Sequence, residues 1–183
     1  MTWDNVTLGQ FMQFTDCLTI EDPLQLTIQR IMIFRGLTAE DVEKLTLQDV
    51  NAYSSQLALL NLDIMPDDKC PPFTSDGLEF MPVPLVDRME AKRYLDYKAI
   101  LKSIDVEDEA EKQALLIANY NRLLACFIKC DTLAYDNEVY SKHALNMPVR
   151  TALGMAAFFL SVSQEFARLF EQAQQEQRQA MTS

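Results

Sequence analysis

Within its first fifty residues the chain writes the start of a helix four times, and this punctuation constrains the fold more than any other feature of the sequence. Thr7 is followed three residues later by Gln10, a capping-box spacing that satisfies two backbone amides left without partners when a helix begins. Leu8, Phe11, Met12 and Thr15 then share one face. Asp22 stands before Pro23, whose fixed φ and missing N–H suit the first helical position, and Gly36 supplies a left-handed stop. Between them Leu24, Ile28, Ile31 and Met32 form an apolar stripe. The stretch "LTAEDVEKLTLQDV" then repeats one device: Leu37-Thr38 with Asp41 and Val42, and Leu45-Thr46 with Asp49 and Val50. Each leucine can staple to the following valine and fix the angle at which the chain enters its helix. Two short consecutive helices are expected.

"MPDDKCPPF" ends this run, because Pro66, Pro71 and Pro72 remove donors and bias their predecessors away from helix. Phe73-Thr74 and "LEFMPV" flank Asp76-Gly77, a pair suited to the positive φ angles of a tight turn, so a β-hairpin is expected near 73–83. Helical periodicity resumes with Val86, Met89, Tyr94, Tyr97, Ile100 and Leu101. The acidic stretch Asp105–Glu111 favours a helix N-terminus, and the pattern from Ala110 to Cys130 predicts a central core helix. "DTLAYDNEVYSKHALNMP" reads as a polar, aromatic-dotted connector with a short helix. The last helix is expected from Asn146-Met147-Pro148, apolar almost all round to Val162 and amphipathic through Phe166, Leu169 and Phe170. From Gln172 it becomes "AQQEQRQAMTS". A helix that outruns its own apolar stripe has left the core.

The fold expected is mainly α: a helical bundle of about six or seven helices with one small β-hairpin and a long C-terminal helix. Residues 1–170 form its single domain, and 171–183 a polar helical extension or tail. With 49% hydrophobic residues in 183, a core can form without staples.

Composition narrows the function. The net charge of −11 opposes phosphate backbones and anionic membrane surfaces, which need clustered Lys and Arg. No direct nucleic-acid or membrane partner is expected. The apolar run from Ala152 to Val162 is about half the ~20 residues that span a bilayer. Met1 is followed by Thr2, Trp3 and Asp4 with no basic-then-apolar leader, so a secreted chain is not expected. Cys17, Cys70, Cys126 and Cys130 are scattered, as in a reducing compartment. The four glycines lie far apart, whereas phosphate-cradling loops need them clustered.

Reactive constellations are equally sparse. Cys126, Cys130 and His143, the single histidine, could in principle hold zinc. The two cysteines, however, fall one helical turn apart on an apolar face and read as small hydrophobes. Asp67-Asp68 and Asp105-Glu107 lie in proline-rich or charge-rich stretches with nothing apolar to raise a pKa. No catalytic residue, metal or cofactor is expected. Trp3 is expected to pin the chain terminus to the core.

The arrangement "W-x-x-V-T-L-x-Q-F" from Trp3 to Phe11, the stretch "FRGLTAEDVEKLTLQDV", the hairpin through "GLEFMPV", the helix start "LVDRMEAKRYLDY" and "MPVRTALGMAAFFL" from Met147 to Leu160 together resemble small structural-block proteins of tailed bacteriophages, the tail assembly chaperones among them. The resemblance implies a non-enzymatic morphogenesis protein that binds other phage structural proteins, such as tail, tape-measure, portal or connector polypeptides. It also implies several copies and work in the host cytoplasm during assembly. A permanent virion component, such as a connector, tail or internal cargo protein, is the alternative it leaves open. The residues expected to touch a partner are Phe166, Leu169, Phe170, Gln172 and Gln175.

Overall fold

The computed structural model describes residues 2–57, 64–67, 69–83 and 89–157. After a 3₁₀ turn at Trp3–Asn5, the helices are α1 (Leu8–Cys17), α2 (Pro23–Arg35), α3 (Ala39–Glu43) and α4 (Leu47–Leu57). Strands β1 (Phe73–Ser75) and β2 (Leu78–Pro82) follow, then α5 (Ala91–Ile104), α6 (Glu109–Ala118), α7 (Tyr120–Ala125), β3 (Ile128–Lys129) and α8 (Asn137–Ala144). Residues 149–157 are again helical, here α9. The protein is mainly α with a small antiparallel sheet. Among the described residues there are nine α-helices rather than six or seven, because short elements divide what the periodicity joins.

The helix starts form as the sequence dictates. Gln10 N–H donates to Thr7 Oγ1 at 3.3 Å and Thr7 N–H to Gln10 Oε1 at 3.1 Å. Thr38 with Asp41 and Thr46 with Asp49 close the same reciprocal box. Asp22 Oδ1 accepts from Gln25 N–H at 2.7 Å, and Gly36 stops α2 at φ +65°. In the hairpin Asp76 and Gly77 take φ +50° and +76°, the pair of positive angles whose twist matches flanking strands.

One expectation is extended and another corrected. The hairpin is not alone: β3 pairs antiparallel with β2, Met81 opposite Lys129 and Pro82 opposite Ile128, giving the order β1-β2-β3. Two strands are marginal in water, and the third strand is what anchors them. It comes from within the stretch 110–130, which is therefore not one core helix. Asn119 interrupts it, its side-chain amide donating back to Leu115 O at 2.9 Å, a local bond that competes with the helical ladder. The continuous apolar run 123–128 fits a buried strand as well as a helix. Cys126 and Cys130 consequently do not share a helical face.

Buried side chains gather in two clusters. The larger joins Leu8, Phe73, Phe80, Ile100, Ile104, residues 123–128, Tyr140, Met147 and Met155. The smaller joins Val6, Ile31, Phe34, Leu57 and Val149, with Trp3, Phe11 and Phe14 packed on it. They meet at an antiparallel bridge between Thr7 and Pro148. Val149 N–H donates to Val6 O at 2.9 Å and Leu8 N–H to Met147 O at 2.8 Å. The valines enter the smaller cluster; Leu8 and Met147 enter the larger. Trp3 does pin its end of the chain, edge-on to Phe11 at 6.2 Å.

Arg150 extends this junction. Its guanidinium pairs with Asp4 and donates to Met65 O, while its own carbonyl accepts from Asp67 N–H. Gly154, one turn further, lies so close to that segment that a Cβ there would fall 2.0 Å from Asp67 O.

Candidate partner-binding groove

Among the described residues, three places gather chemistry-bearing side chains. At the hairpin turn, Ser75 Oγ lies 2.9 Å from His143 Nδ1, Asp76 Oδ2 lies 3.4 Å from the same nitrogen, and Asn146 Nδ2 donates to Ser75 Oγ at 2.8 Å. The residue types are those of a hydrolytic triad, but the geometry is not. In a triad the serine addresses one ring nitrogen and the carboxylate the other, so that one takes a proton while the other is steered. Here both face Nδ1, and Ser75 is 3% exposed. With the His143 ring against Phe80 at 4.8 Å, the cluster fastens the hairpin to α8.

The second place is the buried Arg93 of α5. Its Nη1 donates to Ile128 O at 2.5 Å and to Ala125 O at 3.4 Å, where α7 ends and β3 begins. Its guanidinium lies 3.9 Å from the Tyr135 ring centroid and 4.9 Å from that of Tyr140. Tyr140 in turn donates to Leu133 O and accepts from Cys130 N–H. Beside them Cys126 receives Tyr135 Oη–H and Asn137 Nδ2–H. Burial pushes the Cys126 thiol up to about 11, so it stays protonated at neutral pH and is no nucleophile. This is a structural network joining α5, the α7–β3 corner and the connector to α8.

The residues considered for zinc are thus dispersed. Cys126 belongs to the Arg93 network, Cys130 bonds with Thr132, and His143 serves the hairpin. Among the described residues no three His, Cys, Asp or Glu side chains converge on a metal position.

The third place is the groove between α5 and α6, with a volume of about 780 Å³. Ala99, Leu101, Ile104 and Leu116 supply its apolar wall; Lys98, Lys102, Lys112, Gln113, Asp105 and Glu109 line the rest. Lys112 Nζ is held by Asp105 at 3.3 Å, next to the turn joining the helices. Asp108 begins α6 by accepting from Glu111 N–H at 2.7 Å. Although α6 contains Ala110, Ala114, Leu115, Leu116, Ile117 and Ala118, none of its residues is buried. Leu116 is 37% exposed, Ile117 43%, and Leu95 of α5 66%. An amphipathic surface helix buries its stripe against its own core. This one turns apolar side chains outward.

Sequence reasoning assigned the α6 residues to a central core helix. The signal against that was present: Leu115, Leu116 and Ile117 are consecutive, and three successive residues cover too wide an arc for one-sided packing. Leu115 does pack on the larger cluster, leaving its two neighbours outward. Phe166, Leu169, Phe170, Gln172 and Gln175, expected to contact a partner, lie outside the described residues. Among those described, no helix is long and apolar enough to cross a membrane. Compared with protein-family models, characterised proteins and solved structures, the chain finds no match in any of the three.

Proposed function

We propose that this protein works by binding, and that the α5–α6 groove receives an apolar helical stretch of another polypeptide. The observation that carries this is α6 itself, an apolar helix with no buried residue beside an open groove. Helix-in-groove recognition needs just such a wall of aliphatic side chains with polar groups at its edges. The resemblance to tail assembly chaperones makes the client a tail or tape-measure polypeptide of a bacteriophage. The chain's task is then to cover the client's apolar surface during assembly in the host cytoplasm. The surplus of acidic side chains keeps such a complex soluble.

Co-expression with the tape-measure polypeptide tests this. The wild-type chain keeps the client in the soluble fraction; Leu116→Glu, which puts a charge in the groove wall, loses that effect while retaining native helicity. Equal solubilisation by both chains would refute the groove as the binding site. Mass spectrometry of purified particles addresses the other role suggested by the resemblance. A fixed copy number in the virion would identify a resident component, and absence an assembly factor that departs.

A further inference from the structure

The groove carries charges of both signs beside exposed leucines. Its α5 side offers Lys98 and Lys102, with the exposed Leu95 one turn before Lys98 on the same helix; its α6 side offers Leu116, Glu109 and Lys112, the last held by Asp105. In a chain whose acidic residues outnumber its basic ones 27 to 16, this lysine pair stands directly before the acidic stretch 105–111. Four residues, 105–108, join the helices, so each arm presents its charges near the joint and its exposed leucine further from it.

We propose that the occupant of this groove in the free protein is the same groove of a second copy. A two-fold axis along the helix pair sets α5 of each copy against α6 of the other. Lys102 then approaches the second copy's Glu109 near the joint, Lys98 comes level with its Gln113, and Leu95 meets its Leu116. Two-fold symmetry makes every such contact occur twice. The product is a four-helix arrangement with its apolar side chains inside and paired charges near the joints. Both signs on one patch are what a self-complementary surface requires. The inference shares its surface with the proposed client site, so client and second copy compete for it.

Sedimentation velocity on the full chain over a wide dilution series reads the result directly. The wild type sediments at twice the chain mass and dissociates on dilution; Leu116→Glu sediments as a monomer. Lys102→Glu and Glu109→Lys each weaken pairing about tenfold, and the double variant restores it, because opposite charges meet again with their signs exchanged. Lys102 and Glu109 are exposed, so these exchanges keep the proposal testable even where Leu116→Glu fails to fold. Three results would overturn it: a monomer at every concentration, a dimer indifferent to all of these changes, or a dimer abolished by removing 158–183 yet insensitive to the charge exchange. A monomer that still keeps the client soluble refutes pairing alone. A dimer that cannot solubilise the client refutes the proposed function alone.

Discussion

At the scale of single residues, Gly154 and Arg93 carry the sharpest consequences. Replacing an interior helical glycine by alanine ordinarily stabilises, by about 1 kcal/mol. At Gly154 the new methyl group would meet Asp67 O at 2.0 Å, with backbone rather than a flexible side chain as its neighbour. Gly154→Ala is therefore expected to destabilise by about 1–3 kcal/mol, as overpacking does, measured by urea unfolding. Arg93 bonds two carbonyls and lies over two aromatic rings. Lysine keeps the charge but lacks the planar fork, so Arg93→Lys is expected to cost about 2 kcal/mol. Neither residue stands out in the sequence. Their importance comes from segments distant along the chain, 65–67 for the glycine and 125–140 for the arginine, and local patterns do not encode those meetings.

Among secondary-structure elements, the helix starts were legible because a capping box is complete within four residues. Thr7 to Gln10, Thr38 to Asp41 and Thr46 to Asp49 all close as their spacing implies. The positive φ angles of Asp76 and Gly77 are likewise a property of the dipeptide. The end of the span 110–130 was not legible, because its strand depends on β2 offering an edge to residues 128 and 129. The caps also predict a pH response. Bonds from Thr38 hold the Asp41 carboxyl below its ordinary 3.8, and bonds from Thr46 do the same for Asp49. A carboxylate with a lowered folded-state pKa adds stability that is fully present above 3.8 and is lost as pH falls through the folded value. Backbone NMR during acid titration should therefore show α3 and α4 loosening below about pH 4. Thr46→Val should weaken α4 at neutral pH and flatten its acid response, because the side chain that accepts Asp49 N–H and donates to its carboxylate is gone.

For the molecule as a whole, the two hydrophobic clusters raise the question of whether they unfold separately. Residues at the Thr7–Pro148 bridge feed both, with Val6 and Val149 in one and Leu8 and Met147 in the other. Such a shared boundary couples them. Fluorescence of Trp3, the only tryptophan, reports the smaller cluster, while near-ultraviolet dichroism of the tyrosines in the variant Tyr53→Phe reports mainly the larger, on which Tyr97, Tyr120, Tyr135 and Tyr140 lie. Coincident urea transitions by the two probes are expected, as in a single cooperative unit; well-separated midpoints would show that the bridge does not join them. The candidate groove lies apart from this junction, on helices that the larger cluster supports from beneath through Ile100, Ile104 and Leu115. The groove escaped sequence analysis because Leu115, Leu116 and Ile117 were read as one core face, although only Leu115 of the three packs on the cluster.

The grip of Arg150 on Asp4 and Met65 fastens the root of the last helix to the opening turn of the chain. A load applied at residue 157 is borne first by Met155 and Ala152 in the larger cluster and only then by this clasp, which joins residues 146 positions apart. Tugging on the far end of the sequence tests whether its beginning lets go.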